Sequence, residues 1–303
     1  MNLSGLLPPI ENLPAFRELA NAARDQNTVS ADVIESARAA TLAALSRALT
    51  APIVVLTARA DRAKHFAEEL AHWIERANVF LFPEPEPLFY ERMVWSTETI
   101  AARLAALAAL TNRPAPIIVT STRAVMQRTI PPGDFRAGAR VLRRGENVNL
   151  TELLSALVTL GYTFEAVVEM PGTFSRRGGI LDVWTPMTMQ PIRIELIGSE
   201  IESLRAFDSA TQRSAHALDA ITIVPASEAL PGRGRDVIEK IAGWDLSACH
   251  PVAASALRAD RDALEEGRRF AGIEFYLPDL YAHPASLADH LPQTGLLVVE
   301  DWS

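Results

Sequence analysis

Short apolar runs alternate with segments of helical periodicity along residues 50–128. A strand followed by a helix and then by another strand places the two strands parallel, because the crossover helix carries the chain back along one face of the sheet. Strands are predicted at Ile53–Thr57, Val79–Phe82 and Ile117–Val119, and helices over residues 30–49, 61–74, 96–110 and 122–128. Residues 1–128 are therefore expected to form a parallel α/β layer.

Composition places the chain among globular proteins without a membrane span. Of its 303 residues, 49% are hydrophobic, which is enough for two or three domains. No run approaches the roughly 20 apolar residues of a membrane helix, and the N-terminus lacks the basic segment of a secretory signal. The single cysteine, Cys249, cannot form an intrachain disulfide, and the net charge of −8 disfavours a chain that mainly wraps nucleic acid. These features indicate a cytoplasmic protein.

The first α/β segment lacks the residues that would hold a nucleotide. A phosphate-binding loop needs glycines, so that backbone amides can approach the phosphates, and a lysine before a serine or threonine. There is no glycine between Gly5 and Gly133, and no Gly-Lys-Ser or Gly-Lys-Thr triplet in the chain. Glu300 and Asp301 follow the last predicted strand, where nucleotide-dependent motors hold a metal, but without a phosphate loop they are expected to be solvated acids. The sequence predicts neither ATP hydrolysis nor a bound cofactor or metal.

From residue 129 to about residue 213, the periodicity changes from helical to alternating. One helix is predicted from Asn149, its N-cap, to Gly161, which ends it. Strands are predicted over residues 162–169, 173–177, 180–184, 192–197 and 201–207. We expect a small α+β domain with an antiparallel sheet there, followed in residues 214–303 by a return to the α/β layer.

No group of side chains predicts a catalytic or metal centre. Among the six histidines, His65 and His72 lie two helical turns apart, which is too far to share one ion without further ligands. Cys249 is next to His250, but adjacent side chains diverge in most backbone conformations, so a thiol nucleophile is not expected. The sequence therefore indicates a binding role rather than a catalytic one.

Residues 161–213 carry an ordered series of motifs that resembles one protein family. The series is Gly161-Tyr162, Pro171-Gly172-Thr173-Phe174, Arg177-Gly178-Gly179-Ile180-Leu181-Asp182, Ile192-Arg193-Ile194-Glu195, Glu200-Ile201-Glu202, Phe207-Asp208 and Gln212-Arg213. Further matching stretches are Tyr90-Glu91-Arg92, residues 121–128 and Gly272-Ile273-Glu274-Phe275-Tyr276. With these motifs the chain resembles the N-terminal UvrB-like module of the bacterial transcription-repair coupling factors (Mfd).

This resemblance implies a fold and a set of partners. The fold would be a degenerate P-loop-NTPase-like (RecA-like) parallel sheet domain, split into residues 1–128 and 214–303 by an inserted UvrA-binding-like α+β domain at residues 129–213. The family recruits UvrA to damage-stalled RNA polymerase in transcription-coupled nucleotide excision repair, and its ATP- and Mg-dependent DNA translocase lies elsewhere. UvrA is therefore the expected partner. Through contacts with C-terminal regions of a longer protein, this module would also help to keep the DNA translocase inactive. RNA polymerase and DNA would be reached only through other domains.

The resemblance also indicates the residues that would contact UvrA: Arg177, Trp184, Arg193, Glu195, Arg176 and Phe174. Period two places Arg193 and Glu195 on one face of their strand and aliphatic residues on the other. Arginine and tryptophan are frequent at binding hot spots. As side chains of a solvated face, Arg177 and Arg193 are expected to contribute little to folding stability. Thr163 stands where some family members have an arginine, and Trp184 replaces the usual phenylalanine.

The sequence leaves two alternative functions open. The chain could derive from UvrB, a damage-loading ATPase, although the missing phosphate loop disfavours this. It could also be a purely structural module that clamps a longer protein in a resting state and does not bind UvrA. Arg140, Arg143 and Arg144 form a basic cluster that leaves a DNA contact open as well.

Overall fold

The computed structural model describes residues 2–25, 28–88 and 90–301, which form two compact units. The first unit consists of residues 1–84, 106–126 and 290–303. The second unit consists of residues 85–105 and 127–289. Each unit therefore combines segments that are distant in the sequence.

The α-helices are α1 (Leu7–Glu11), α2 (Pro14–Asp25), α3 (Glu35–Leu49), α4 (Ala60–Leu70), α5 (Thr97–Asn112), α6 (Thr122–Met126), α7 (Pro132–Ala137), α8 (Leu150–Thr159), α9 (Arg235–Ala242), α10 (Pro251–Glu265) and α11 (Leu277–Leu280). Short 3-10 helices lie at Ser4–Leu6, Arg76–Asn78, Pro231–Arg233, Ile273–Tyr276 and Leu287–His290. The strands are β1 (Ile53–Thr57), β2 (Val79–Phe82), β3 (Ile117–Ser121), β4 (Arg140–Arg143), β5 (Thr163–Phe164), β6 (Thr173–Arg177), β7 (Ile180–Val183), β8 (Ile192–Ile197), β9 (Glu200–Phe207), β10 (Ser214–Leu218), β11 (Ala220–Ile223) and β12 (Leu296–Val299).

The sheet of the first unit is parallel, as the alternation of strands and helices predicted. Its strand order is β12-β1-β3-β2. Ile53 of β1 is in register with Ile117 of β3 on one side and with Leu296 of β12 on the other. Val55 of β1 and Phe66 of α4 belong to the same buried core. The last strand of the chain, β12, is therefore an edge strand beside the first.

A six-stranded sheet with the order β10-β9-β8-β7-β6-β5 lies in the second unit. Its neighbouring strands are antiparallel, except that β5 and β6 pair in parallel through Thr163 and Thr173. Strands β4 and β11 form a separate antiparallel ribbon. Buried residues between Leu142 and Ala226, including those of α8, form one core. The predicted combination of an antiparallel sheet with a helix is therefore confirmed.

Two parts of this sheet region differ from the sequence prediction. The strand predicted over residues 162–169 is limited to Thr163–Phe164, because the following loop turns across β6 and Ala166 accepts a hydrogen bond from the Ser175 hydroxyl. Strands β4 and β10 have no counterpart in the prediction. Only Leu142 of β4 is buried and β10 is largely exposed, so neither has the alternating pattern that marks a half-buried strand.

The two units do not follow the predicted domain segments residue by residue, and those segments stay a prediction. Strand β10, which belongs to the six-stranded sheet, lies beyond residue 213, and β11 and helices α9 to α11 are in the same unit, while residues 290–303 return to the parallel sheet. None of the described helices is long and apolar enough to cross a membrane.

Candidate protein-docking site

The six-stranded sheet has one apolar face in the core and one face of polar side chains. Leu181 and Ile194 are completely buried in the core, whereas Asp182 and Arg193 alternate with them and lie opposite each other on β7 and β8. The period of two residues along each strand separates the two faces. The polar face includes Arg177, Asp182, Trp184, Arg193, Glu195, Ser203 and Arg205, and the half-buried Ile180 lies among them, opposite Arg177 and Glu195.

Asp182 is the centre of a charge cluster on the polar face. Its side chain is 2% exposed. Arg193 donates two hydrogen bonds to it, from Nε to Oδ1 at 2.7 Å and from Nη2 to Oδ2 at 2.9 Å. Arg177 donates a third from Nη2 to Oδ2 at 3.0 Å. Because the carboxylate accepts a bidentate contact from one arginine and a single contact from another, its orientation is fixed.

Arg193 is largely removed from solvent, although it lies on the polar face. Its side chain is 16% exposed, and its guanidinium lies 4.7 Å from the centroid of the Phe207 ring. Hydrogen bonding to Asp182 raises the Arg193 pKa, although burial opposes the shift. This environment contradicts the expectation of a solvated side chain that matters little for folding. Arg177, whose side chain is 57% exposed, fits that expectation.

The turn between β6 and β7 brings Arg177 towards Asp182, and it depends on two glycines. Gly178 has a φ of +62°, which strains any residue with a side chain. At Gly179 an added Cβ would lie 2.8 Å from the carbonyl oxygen of Leu196. The Gly179 carbonyl also accepts a hydrogen bond from the Leu196 N–H at 2.8 Å. The predicted Gly-Gly turn therefore allows the hairpin to lie close against β8.

Trp184 and Glu195 flank the charge cluster on opposite sides along the strands. Glu195 lies opposite Ile180 and accepts a hydrogen bond from the Ser203 hydroxyl at 2.6 Å. Trp184 is half-buried, and its Nε1 donates to the carbonyl oxygen of Thr188 at 3.0 Å. The structure thus brings together four of the six predicted contact residues around Asp182.

The other two predicted contact residues, Phe174 and Arg176, are on the opposite side of β6. Phe174 is 3% exposed and belongs to the core, so its burial disfavours the predicted contact role. Arg176 is exposed at the end of the strand and donates from Nε to the Gly178 carbonyl oxygen at 3.2 Å. The aromatic ring that solvent reaches here is Phe164, which is 59% exposed and packs edge-on against Phe174.

Arg205 is a member of the polar face that was not among the predicted contact residues. It is exposed and lies directly opposite Arg193. Its neighbours Leu204 and Ala206 are buried, so the alternation in the sequence already placed Arg205 on the polar face. Only the register of β8 and β9 shows that it lies beside the charge cluster. As a result, a third arginine, which is exposed, lies beside the charge cluster.

The geometry of the polar face suits recognition of another protein. The exposed guanidiniums of Arg177 and Arg205 can each donate paired hydrogen bonds to carboxylates or carbonyl oxygens. The half-buried ring of Trp184 adds apolar area next to them, a combination that is common at the centre of interfaces. Among the residues that the structure describes, no group of three or more His, Cys, Asp or Glu side chains is placed to hold a metal ion.

Comparison with known proteins adds a family match at this site. The sequence model of the UvrB interaction domain matches residues 141–228, the segment that contains both the polar face and the core between Leu142 and Ala226. Thr163, which stands where some family members have an arginine, lies within this segment and is exposed on β5. The family match therefore covers all six residues that were predicted to contact a partner.

Transcription-repair-coupling factors are similar to almost the whole chain. The protein from Bacillus subtilis is 31% identical over 95% of this chain and 26% of its own length. The proteins from Myxococcus xanthus and Mycobacterium bovis are each 32% identical, over 88% and 99% of this chain and 23% and 25% of their own lengths. The chain thus spans about a quarter of the length of the curated relatives it matches. On these matches, it belongs to the transcription-repair-coupling factor family, as the UvrB-like module that carries the UvrB interaction domain.

Proposed function

We propose that this chain recruits UvrA and that UvrA docks on the polar face. The observation that carries the proposal is that the UvrB interaction domain match surrounds the charge cluster of Asp182, Arg177 and Arg193. Side chains that are already fixed by internal hydrogen bonds lose little entropy when a partner binds, and the exposed guanidiniums of Arg177 and Arg205 favour acidic groups on the partner. In a longer protein, this docking would bring UvrA to RNA polymerase stalled at DNA damage in transcription-coupled nucleotide excision repair.

In this proposal, the first unit is a degenerate RecA-like domain, and the antiparallel sheet is an insertion in it. The turn after β1 reads Ala58-Arg59-Ala60, where a phosphate loop would need glycines. The chain would therefore neither bind nor hydrolyse ATP, and ATP, Mg and the translocase would belong to other regions of the longer protein. Titration of the purified chain with a fluorescent ATP analogue tests this point, and micromolar binding would contradict it.

Further partners would be reached outside this chain. The module would help to keep the DNA translocase inactive through contacts with C-terminal regions of the longer protein. RNA polymerase and DNA would be bound by other domains, with no membrane involved, and the site of action would be the cytoplasm. A UvrB-type ATPase is the less favoured alternative because of the missing phosphate loop. A structural clamp that does not bind UvrA is distinguished by the experiment below.

Binding of purified UvrA to charge-reversal variants tests the docking proposal. Arg177→Glu and Arg205→Glu each reverse an exposed charge on the polar face, so each should weaken binding by at least about tenfold. Arg140→Glu is the matched control, because Arg140 is exposed on the separate β4–β11 ribbon and should bind UvrA like the wild type.

Trp184→Ala separates an interface anchor from a core residue. Loss of UvrA binding with an unchanged melting temperature identifies an anchor, whereas a destabilisation of about 3 kcal/mol identifies a core residue. Wild-type affinity in both arginine variants would remove the polar face from the proposed function and favour the structural clamp.

A further inference from the structure

Glu300, directly after β12, is held by two arginines of the first unit. It is 8% exposed, so the expectation of a solvated acid is wrong for this residue, whereas Asp301 is exposed. Arg62 donates from Nε to both carboxylate oxygens of Glu300 at 3.0 Å, and its Nη2 also contacts Oε1. Arg38 donates from Nη1 to Oε1 at 3.2 Å. The carboxylate is thus enclosed by two guanidiniums.

This cluster lies where open α/β sheets bind their ligands. In the strand order β12-β1-β3-β2, strands β3 and β2 lie on one side of β1, and strand β12 lies on its other side. The direction in which later strands are added to the sheet therefore reverses at β1. Ligand crevices lie outside the carboxyl ends of the strands at such a reversal. Arg62 is in the first turn of α4, which follows β1, and the Glu300 N–H donates to the Leu56 carbonyl oxygen at 2.9 Å. The Glu300–Arg62 contact therefore spans this position.

Both guanidiniums have additional partners that hold them in place. Arg62 contacts Glu69 at 3.1 Å, and its guanidinium carbon lies 5.0 Å from the centroid of the Phe66 ring. Arg38 contacts Asp301 at 2.7 Å and donates to the Val33 carbonyl oxygen at 3.2 Å. Removal of Glu300 would leave two positioned arginines without their central anion.

We propose that Arg38 and Arg62 form an oxyanion site and that the chain's own Glu300 carboxylate occupies it in place of a phosphate. Guanidinium groups bind carboxylates and phosphates with the same bidentate geometry, so a tetrahedral oxyanion such as inorganic phosphate is the ligand class that fits. Occupation by Glu300 ties the edge strand β12 to β1 and α4 without any nucleotide. The carboxylate of Glu300 therefore fills the position at the carboxyl end of β1 where related α/β sheets bind a ligand.

Chemical rescue of Glu300→Ala by inorganic phosphate tests the proposal on the full 303-residue chain. The variant should melt several degrees below the wild type, and phosphate should raise the melting temperature of the variant more than that of the wild type, relative to chloride at equal ionic strength. Calorimetric titration should show phosphate binding to Glu300→Ala and none to the wild type. Glu69→Ala is the matched control, because it removes the other carboxylate partner of Arg62 but leaves Glu300 in the site.

The double variant Glu300→Ala, Arg62→Ala should lose the response to phosphate. The proposal is overturned if phosphate shifts the wild type as much as Glu300→Ala, if the double variant still responds, or if folded Glu300→Ala binds no phosphate. Should Glu300→Ala fail to fold, Glu300→Gln provides the same comparison, since it keeps the size of the side chain and removes its charge. Absence of phosphate binding to folded Glu300→Gln then overturns the proposal equally.

Discussion

At the residue scale, the polar face is organised by a carboxylate that solvent hardly reaches. Asp182 would be a costly unpaired charge without Arg193 and Arg177. The buried ion pair of Asp182 and Arg193 therefore contributes to folding stability. The exposed guanidiniums of Arg177 and Arg205 are available to a partner. The two arginines on Asp182 should consequently differ in their effect on stability.

Arg193→Ala should lower the free energy of unfolding by about 2 kcal/mol, because Asp182 loses two of three hydrogen bonds while it stays buried. Arg177→Ala should lower it by less than about 1 kcal/mol, because this ion pair is partly screened by water. Urea unfolding followed by circular dichroism measures both values. Equal losses in the two variants would show that the burial of Arg193 has no energetic consequence.

Glu274, in the second unit, provides a test of pH dependence. It is 4% exposed and lies 3.7 Å from Arg269. Burial raises the pKa of its carboxyl group above the ordinary 4.5, and the charge of Arg269 opposes this only in part. Because the proton is bound more tightly in the folded state, the stabilisation is complete at low pH and is lost as the pH rises through the folded-state pKa.

Wild-type protein should therefore lose stability relative to Glu274→Gln as the pH rises from 4.5 towards neutrality. Melting temperatures of the two proteins, measured in parallel across this range, provide the comparison. A difference that stays constant with pH, or one that grows in favour of the wild type, would be inconsistent with a raised pKa at Glu274.

At the scale of elements, helix α8 begins after the N-cap residue that the sequence predicted, Asn149. The Asn149 side chain accepts hydrogen bonds from the N–H groups of Thr151 at 3.0 Å and Glu152 at 3.3 Å, as expected of the predicted N-cap. Its Nδ2 donates to Glu152 Oε1 at 3.0 Å. The helix then buries Leu153 and Leu157 against the sheet core.

Asn149→Ala should destabilise the second unit by about 1 kcal/mol, because two N–H groups at the start of α8 lose their acceptor. Asn149→Ser retains a capping oxygen and should recover most of this loss. Thermal unfolding of both variants is the measurement. If serine is no better than alanine, the cap contributes nothing and α8 is held by packing alone.

At the scale of the whole molecule, the core of the antiparallel sheet extends past the predicted boundary at residue 213. Ile221 and Ile223 of β11 are buried in the same core as the six-stranded sheet. The Tyr162 hydroxyl donates to the Val224 carbonyl oxygen, and the Ala226 N–H donates to Leu160, both at 2.8 Å. A fragment that stops at residue 213 would therefore expose part of this core.

A fragment of residues 139–227 should unfold cooperatively, whereas a fragment of residues 129–213 should show a broad or much lower transition. The shorter fragment loses β11 and with it the burial of Ile221 and Ile223, each of which contributes roughly 1.5–3 kcal/mol. Differential scanning calorimetry of both fragments tests this. Matching transitions in the two fragments would place the domain boundary at residue 213 after all.

Several features of this protein follow from local sequence pattern alone. These are the parallel strands of the first unit, the capped helix α8, the alternation that separates the two faces of β7 and β8, and the lack of a glycine-rich phosphate loop. Three further features appear only in the folded chain: Arg205 lies beside Arg193, β11 completes the sheet core, and Glu300 contacts Arg62, 238 residues away in the sequence. Such contacts depend on strand register and on which distant segments pair, and a period of two or 3.6 residues carries no information about either.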